Sequence, residues 1–166
     1  MKNKYSLLLF LILPYFAFSQ STFLKTFGGN GTDDSYGITQ AADGGFFLAG
    51  RTTSFGNGQL DAYLIKLDSL GNHVWSRVLG LNGNDNFEDV IATADNGVLA
   101  VGGYTDGDRD ALVARFDSVG NLLWTRLYGG IGPDGFIKAS ENANGEYVIA
   151  GVTESHNPGG AADAIR

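Results

Sequence analysis

The sequence predicts an all-β protein assembled from tandem repeats of about 49 residues, each supplying four antiparallel strands. Three observations lead there. The phrase "LDSLGNHVW" at 67–75 returns as "FDSVGNLLW" at 116–124, so Trp75 and Trp124 stand 49 positions apart, and a fixed offset on that scale marks a repeat architecture. Short apolar runs are joined by "AADGG", "ADNG" and "NANGE", rich in the Asp, Asn and Gly that accept positive φ in tight hairpins. The 25 glycines, which would suggest disorder if scattered, recur at matching places in successive copies.

In chain order, residues 1–19 read as a secretory signal peptide. Lys2 and Lys4 make a basic start, Leu7–Leu13 an apolar run, and "AFS" at 17–19 a cleavage site that leaves Gln20 first. The apolar stretch from Leu7 to Phe18 is 12 residues long and contains Pro14, short of the roughly 18 a membrane-spanning helix requires. No later segment could span a bilayer as a helix. Residues 20–166 are the length of one domain. Losing Lys2 and Lys4 takes the formal charge from −7 to −9, and such an acidic exterior argues against nucleic acid and anionic lipid as partners. With no cysteine, an exported chain must take its stability from packing and sheet pairing rather than disulfides.

The repeats are read at about 24–75, 76–124 and 125–166, the last stopping short. Each begins with Phe27-Gly28, Leu79-Gly80 or Tyr128-Gly129 and continues into an acidic loop, "GNGTDDS", "LNGNDNFED" or "IGPDG". A first hairpin follows, in which Gly50, Gly102 and Gly151 align, as do Thr52, Thr105 (one residue later) and Thr153. Next come "DAYLIKLD", "DALVARFD" and, abruptly, "DAIR". Tyr63, Ile65 and Leu67 alternate with Ala62 and Leu64, a strand apolar on both faces and so held between layers, with Lys66 leaving at its end. Asp68 and Asp117 open the turns "DSLGN" and "DSVGN", after which the return strands carry Trp75 and Trp124, each with an arginine two residues on. Four strands in such a period are the blade of a β-propeller, with the tryptophans placed to pack where one blade meets the next. A propeller needs roughly four to eight blades, so the copies present are expected to be incomplete, with further repeats of the same chain as their natural partners.

At these residues the chain resembles a family of exported Bacteroidetes repeat proteins. Their pattern is close to W-x-[KR]-x-[YF]-G-G … D-G-G-[FY]-x-x-x-G-x-T … D-x-x-[LV]-x-[KR]-x-D-x-x-G-x-x-x-W. It is carried here by Trp124, Arg126, Tyr128-Gly129-Gly130, Asp43-Gly44-Gly45-Phe46, Gly50, Thr52, Asp61, Lys66, Asp68, Gly71 and Trp75. The resemblance covers nearly all of 24–166 and implies a type IX secretion cargo; the sorting domain that often ends such proteins is not read in this sequence. The segment D-x-x-G-x-x-x-W is also similar to the tryptophan-docking motif of quinoprotein propellers, one residue shorter between Asp and Trp. That likeness implies a packing role alone.

Candidate chemistry is sparse. "GIGPDG" at 130–135 fits G-x-G-x-x-G, but Pro133 interrupts it and a strand, not the helix that receives a pyrophosphate, is expected next. Asp106, Asp108 and Asp110 in "DGDRD" alternate like calcium ligands, with Asp117 at the twelfth position. However, Ala111 stands where a calcium loop wants glycine and Arg109 intrudes, so these three are weak metal candidates and calcium is a low-ranked cofactor. Asp33, Asp34, Asp85, Glu88, Asp89 and Asp134 read as solvated turns, and His73 as an exposed strand residue. No nucleophile elbow, zinc motif or cysteine nucleophile occurs.

These readings give an expectation: a secreted or outer-surface, non-catalytic scaffold or binding module within a larger exported protein. Its partners would be an extracellular protein or a glycan. The competing expectations are a secreted, polysaccharide-directed hydrolase and a calcium-stabilised adhesion module.

Overall fold

The computed structural model describes residues 24–57, 59–155 and 164–165. The signal segment, its cleavage site, His156 and both ends of "DAIR" (Asp163 and Arg166) lie outside the described residues. Within them the protein is all-β. The first sheet holds β1 (Asp33–Gln40), β2 (Phe46–Thr52), β3 (Asp61–Leu67) and β4 (His73–Leu79). The second holds β5 (Asn84–Ala92), β6 (Val98–Asp106), β7 (Asp108–Phe116) and β8 (Leu122–Tyr128). The third holds β9 (Asp134–Glu141), β10 (Tyr147–Thr153) and the two-residue β11 (Ala164–Ile165). Strands follow one another across each sheet, and every pairing is antiparallel. The sheets stack in succession with β5 beside both β1 and β9, and do not close on themselves among the described residues. Strand β4 runs through the 75/76 repeat boundary, so the sheet units are offset from the repeats while keeping their period.

The turn chemistry explains the repeated phrase. Asp68 Oδ1 accepts from the backbone N of Leu70 and Asn72 (2.8 Å each) while its Oδ2 accepts from Asn72 Nδ2, and Gly71 takes φ 71°. Asp117 makes the same three contacts with Val119 and Asn121. Each carboxylate gathers donors that favour its charged form, led by the backbone N–H of Asn72 or Asn121, and both pKa values fall below the ordinary range.

The aligned glycines answer to a different constraint. Strands β1 and β5 bulge at Ser35/Gly37 and Phe87/Asp89, and the β9–β10 pairing shifts at Ala150/Gly151. Opposite each irregularity, a β-carbon on Gly50, Gly102 or Gly151 would collide with the carbonyl oxygen of Asp34, Asn86 or Gly135.

Strand alternation sends one face of each sheet forward to the next. Phe47, Ala49, Ala62 and Leu64 pack against Phe87, Val90, Val98, Ala100, Leu112, Ala114 and Phe116 of the second sheet. The second sheet's forward face, Leu99, Val101, Ala111 and Val113, receives Phe136, Tyr147 and Ile149. Burying each large side chain contributes about 1.5–3 kcal/mol, enough for the stack to be held mainly by these two layers. On the third sheet the same forward positions are Val148 and Ala150, and both are exposed, Val148 at 43%.

Lys66 departs from expectation. It does not leave the strand end but is 5% exposed, its Nζ donating to Asp43 Oδ1 and Oδ2 (2.9 and 2.8 Å) and to Leu67 O. Arg115 repeats this, reaching Asp95 and the carbonyls of Val98 and Phe116. The cation is retained because the D-G-G or D-N-G turn of its own sheet supplies a carboxylate at the place where the strand ends.

Candidate functional site at the first sheet junction

Asp33, Asp85 and Asp134 hold equivalent places at the start of the first strand of each sheet. In the first, Asp33 accepts from Thr52 Oγ1, Ser54 Oγ (2.7 Å) and Gly29 N (2.9 Å); burial pushes its pKa up, but these donors outweigh it and the net shift is down. In the third, Asp134 accepts from Ser155 Oγ and Gly130 N, again with burial outweighed and the pKa lowered. Thr153 faces Asp134 in the register, though neither its hydroxyl nor Asp134 Oδ1 completes a hydrogen bond.

The second sheet breaks the pattern. Tyr104, not Thr105, stands opposite Asp85, and Asp106 replaces the serine, so the hydroxyl donors are gone. Asp85 is 1% exposed; Oδ2 accepts from Leu81 N at 2.7 Å and Oδ1 has no partner. Burial and, secondarily, the charge of Asp61 push its pKa up to about 6 despite the Leu81 N–H. Asp61 is itself fully buried, its Oδ2 taken by Asn57 N (2.8 Å) and its Oδ1 unpartnered. The Asp85 backbone N–H donates to Leu60 O (2.7 Å), which ties the two sheets together here. The expectation of solvated acidic turns is therefore corrected at Asp85, Asp89 and Asp134, all buried. Strand pairing draws the loop acids inward, and for Asp89 the Lys138 ammonium (3.1 Å) and Ala139 N–H (3.1 Å) of the next sheet receive them.

Beside Asp85 lies a cleft of about 200 Å³ lined by Arg51, Leu60, Asn84, Asn86, Glu88, Thr105 and Arg109. Arg51 is braced by Asp34 (3.0 Å) and lies 5.5 Å from the Tyr36 ring centroid. Glu88 accepts from Asn86 Nδ2 at 2.7 Å and faces Arg109 at 3.7 Å. Two guanidinium groups and two carboxyl groups thus share one small concavity. A broader, shallower depression of about 700 Å³ lies at the hairpin end, lined by small groups such as Thr39, Ala41, Thr93 and Ser140. The cleft is the stronger candidate because charged and amide side chains of both sheets converge on it.

The weak metal candidates do not converge. Asp106 and Asp108 face each other across Gly107; Asp106 accepts from Tyr104 OH, and Asp108 from Gly132 N and Arg109 N. Asp110 lies instead against Gly129, alongside Asp134. Among the described residues no three His, Cys, Asp or Glu groups are arranged to hold a metal ion. "GIGPDG" leads directly into β9.

Trp75 is half-buried, 5.8 Å from the Phe47 ring and under Arg77, whose guanidinium lies 5.2 Å from its ring. Trp124 carries Arg126 at 5.3 Å and packs on the second inter-sheet layer. The cleft was missed in the sequence because its residues come from two repeats. One signal was available: Arg51, Asn84, Asn86 and Glu88 break the alignment, their counterparts being Gly103, Pro133, Gly135 and Ile137. No protein-family model matches the chain, and no curated protein matches it.

Proposed function

We propose that this chain is a secreted or cell-surface, non-catalytic repeat scaffold and binding module, its sheets stacking as blades of a β-propeller-type array like those of exported Bacteroidetes repeat proteins. One observation carries the reading. The forward positions that the first two sheets bury, Phe47/Ala49 and Leu99/Val101, recur as exposed Val148 and Ala150 on the third. The occupant that fits them is another sheet of the same repeat, since the back faces of the second and third sheets already pack on such positions twice. Adjacent innermost strands β1, β5 and β9 support the propeller form.

The test is to append one further repeat of the same pattern after Arg166 and measure binding of a hydrophobic dye. Dye binding falls if the added sheet covers Val148 and Ala150, and unchanged dye binding would refute the reading. Export is checked separately, by N-terminal sequencing of the extracellular product, which should begin at Gln20.

A further inference from the structure

Building on the binding-module reading, we infer that the cleft between the first and second sheets binds a neutral, polyhydroxylated ring: one sugar residue of a glycan. Its residues are not required by the repeat. Buried positions such as Phe87 and Phe136, or Gly102 and Gly151, are kept from copy to copy, whereas Arg51, Asn84, Asn86 and Glu88 give way to Gly103, Pro133, Gly135 and Ile137 at the second junction. Asn84 helps tie the two sheets through Leu60 N, whereas Arg51, Asn86 and Glu88 bond within their own sheets and so serve something other than stacking.

Charge selects the ligand class. An anion entering the cleft meets Asp85 and Glu88, and a cation meets Arg51 and Arg109, so neither gains a net field. A neutral hydroxyl both donates and accepts, matching carboxylates and guanidinium groups at once. The Arg109–Glu88 separation of 3.7 Å is too long for a direct hydrogen bond and leaves both groups capacity for a bridging hydroxyl. Size agrees: about 200 Å³ lies below the roughly 300 Å³ at which drug-sized pockets begin. The walls are also set in advance. Asp34 and Tyr36 hold Arg51, Leu60 N donates to Asn84 Oδ1 at 3.3 Å, and Gly103 seats the Arg109 guanidinium where a β-carbon would crowd it.

Saturation-transfer NMR on the full chain, which tolerates self-association, tests this with the methyl glycosides of glucose, galactose and mannose at up to about 50 mM, a range suited to millimolar affinity. At least one should receive saturation at its ring protons, while methyl glucuronide and glucosamine receive less. Glu88→Gln and, independently, Arg109→Gln change half-exposed side chains and should weaken the signal about tenfold or more, roughly 1.4 kcal/mol, at an unchanged melting midpoint. No transfer to any neutral glycoside, equal transfer to the charged sugars, or full transfer in both folded variants would each overturn the proposal. The dye measurement on the extended chain does not involve the cleft, so failure of the stacking reading is distinguished from failure here.

Discussion

Arg77 on strand β4 donates through Nε to the carbonyl of Gly120, 2.6 Å away in the β7–β8 turn of the next sheet. Its Nη2 reaches Val119 O at 3.0 Å, and a β-carbon on Gly120 would sit tightly against Trp75, at 3.0 Å, with φ at 84°. One outer strand thus latches onto the turn "DSVGN" of its neighbour. The repeated phrase is both a hairpin turn in its own sheet and a docking point for the sheet before.

Arg77→Ala should therefore destabilise the protein by about 1.5–3 kcal/mol, the range for hydrogen bonds to a charged group. Arg126, its exposed counterpart beside Trp124, should lose no more than about 0.5 kcal/mol on the same change. Urea denaturation midpoints of the two variants check the contrast, and equal losses would show that the latch adds nothing.

Asp85 sets a pH dependence whose sign follows from its raised pKa. The folded state binds its proton more tightly than the unfolded chain between about pH 4 and pH 6, so its contribution is most favourable below that window and is lost as pH rises through it. Above pH 6 the ionised form costs about 1–2 kcal/mol, less than the roughly 3 kcal/mol of the full shift because solvent reaches the adjoining cleft. Asp85→Asn should be more stable than the parent at pH 7.5 (roughly neutral conditions), with the gap closing towards pH 4. Melting midpoints of the pair across this range test it, and a gap independent of pH would rule out Asp85 as its source.

Gly102→Ala should cost at least about 3 kcal/mol, in the class of large local-strain effects, because the new methyl meets the Asn86 carbonyl at the β5 bulge. Gly107→Ala has open space around it and only its φ of 86° against it, so roughly 1–2 kcal/mol is expected. Thermal unfolding of the two variants separates close approach from backbone strain.

The strands and turns were legible because their signals are local. Asp68 and Asp117 speak for their own turns, and the alternation in "DAYLIKLD" for a strand buried on both faces. The fate of charged groups was less legible, since it depends on partners brought by pairing. Lys66 looks like a strand-end lysine until β2 and its turn place Asp43 over it. Asp85 looks like a loop acid until the register sets Tyr104 where the other sheets have threonine. The cleft drew on two repeats at once, and only the broken alignment at Arg51 and Glu88 pointed to it.

The stacking itself is tested most directly by light scattering of the full chain after gel filtration, over a range of concentrations, alongside Val148→Lys. Exposed Val148 and Ala150 should make the parent associate as concentration rises, and the lysine, placed on the same open face, should return it to monomer. A parent that stays monodisperse and monomeric at every concentration would contradict an open forward face that takes another sheet.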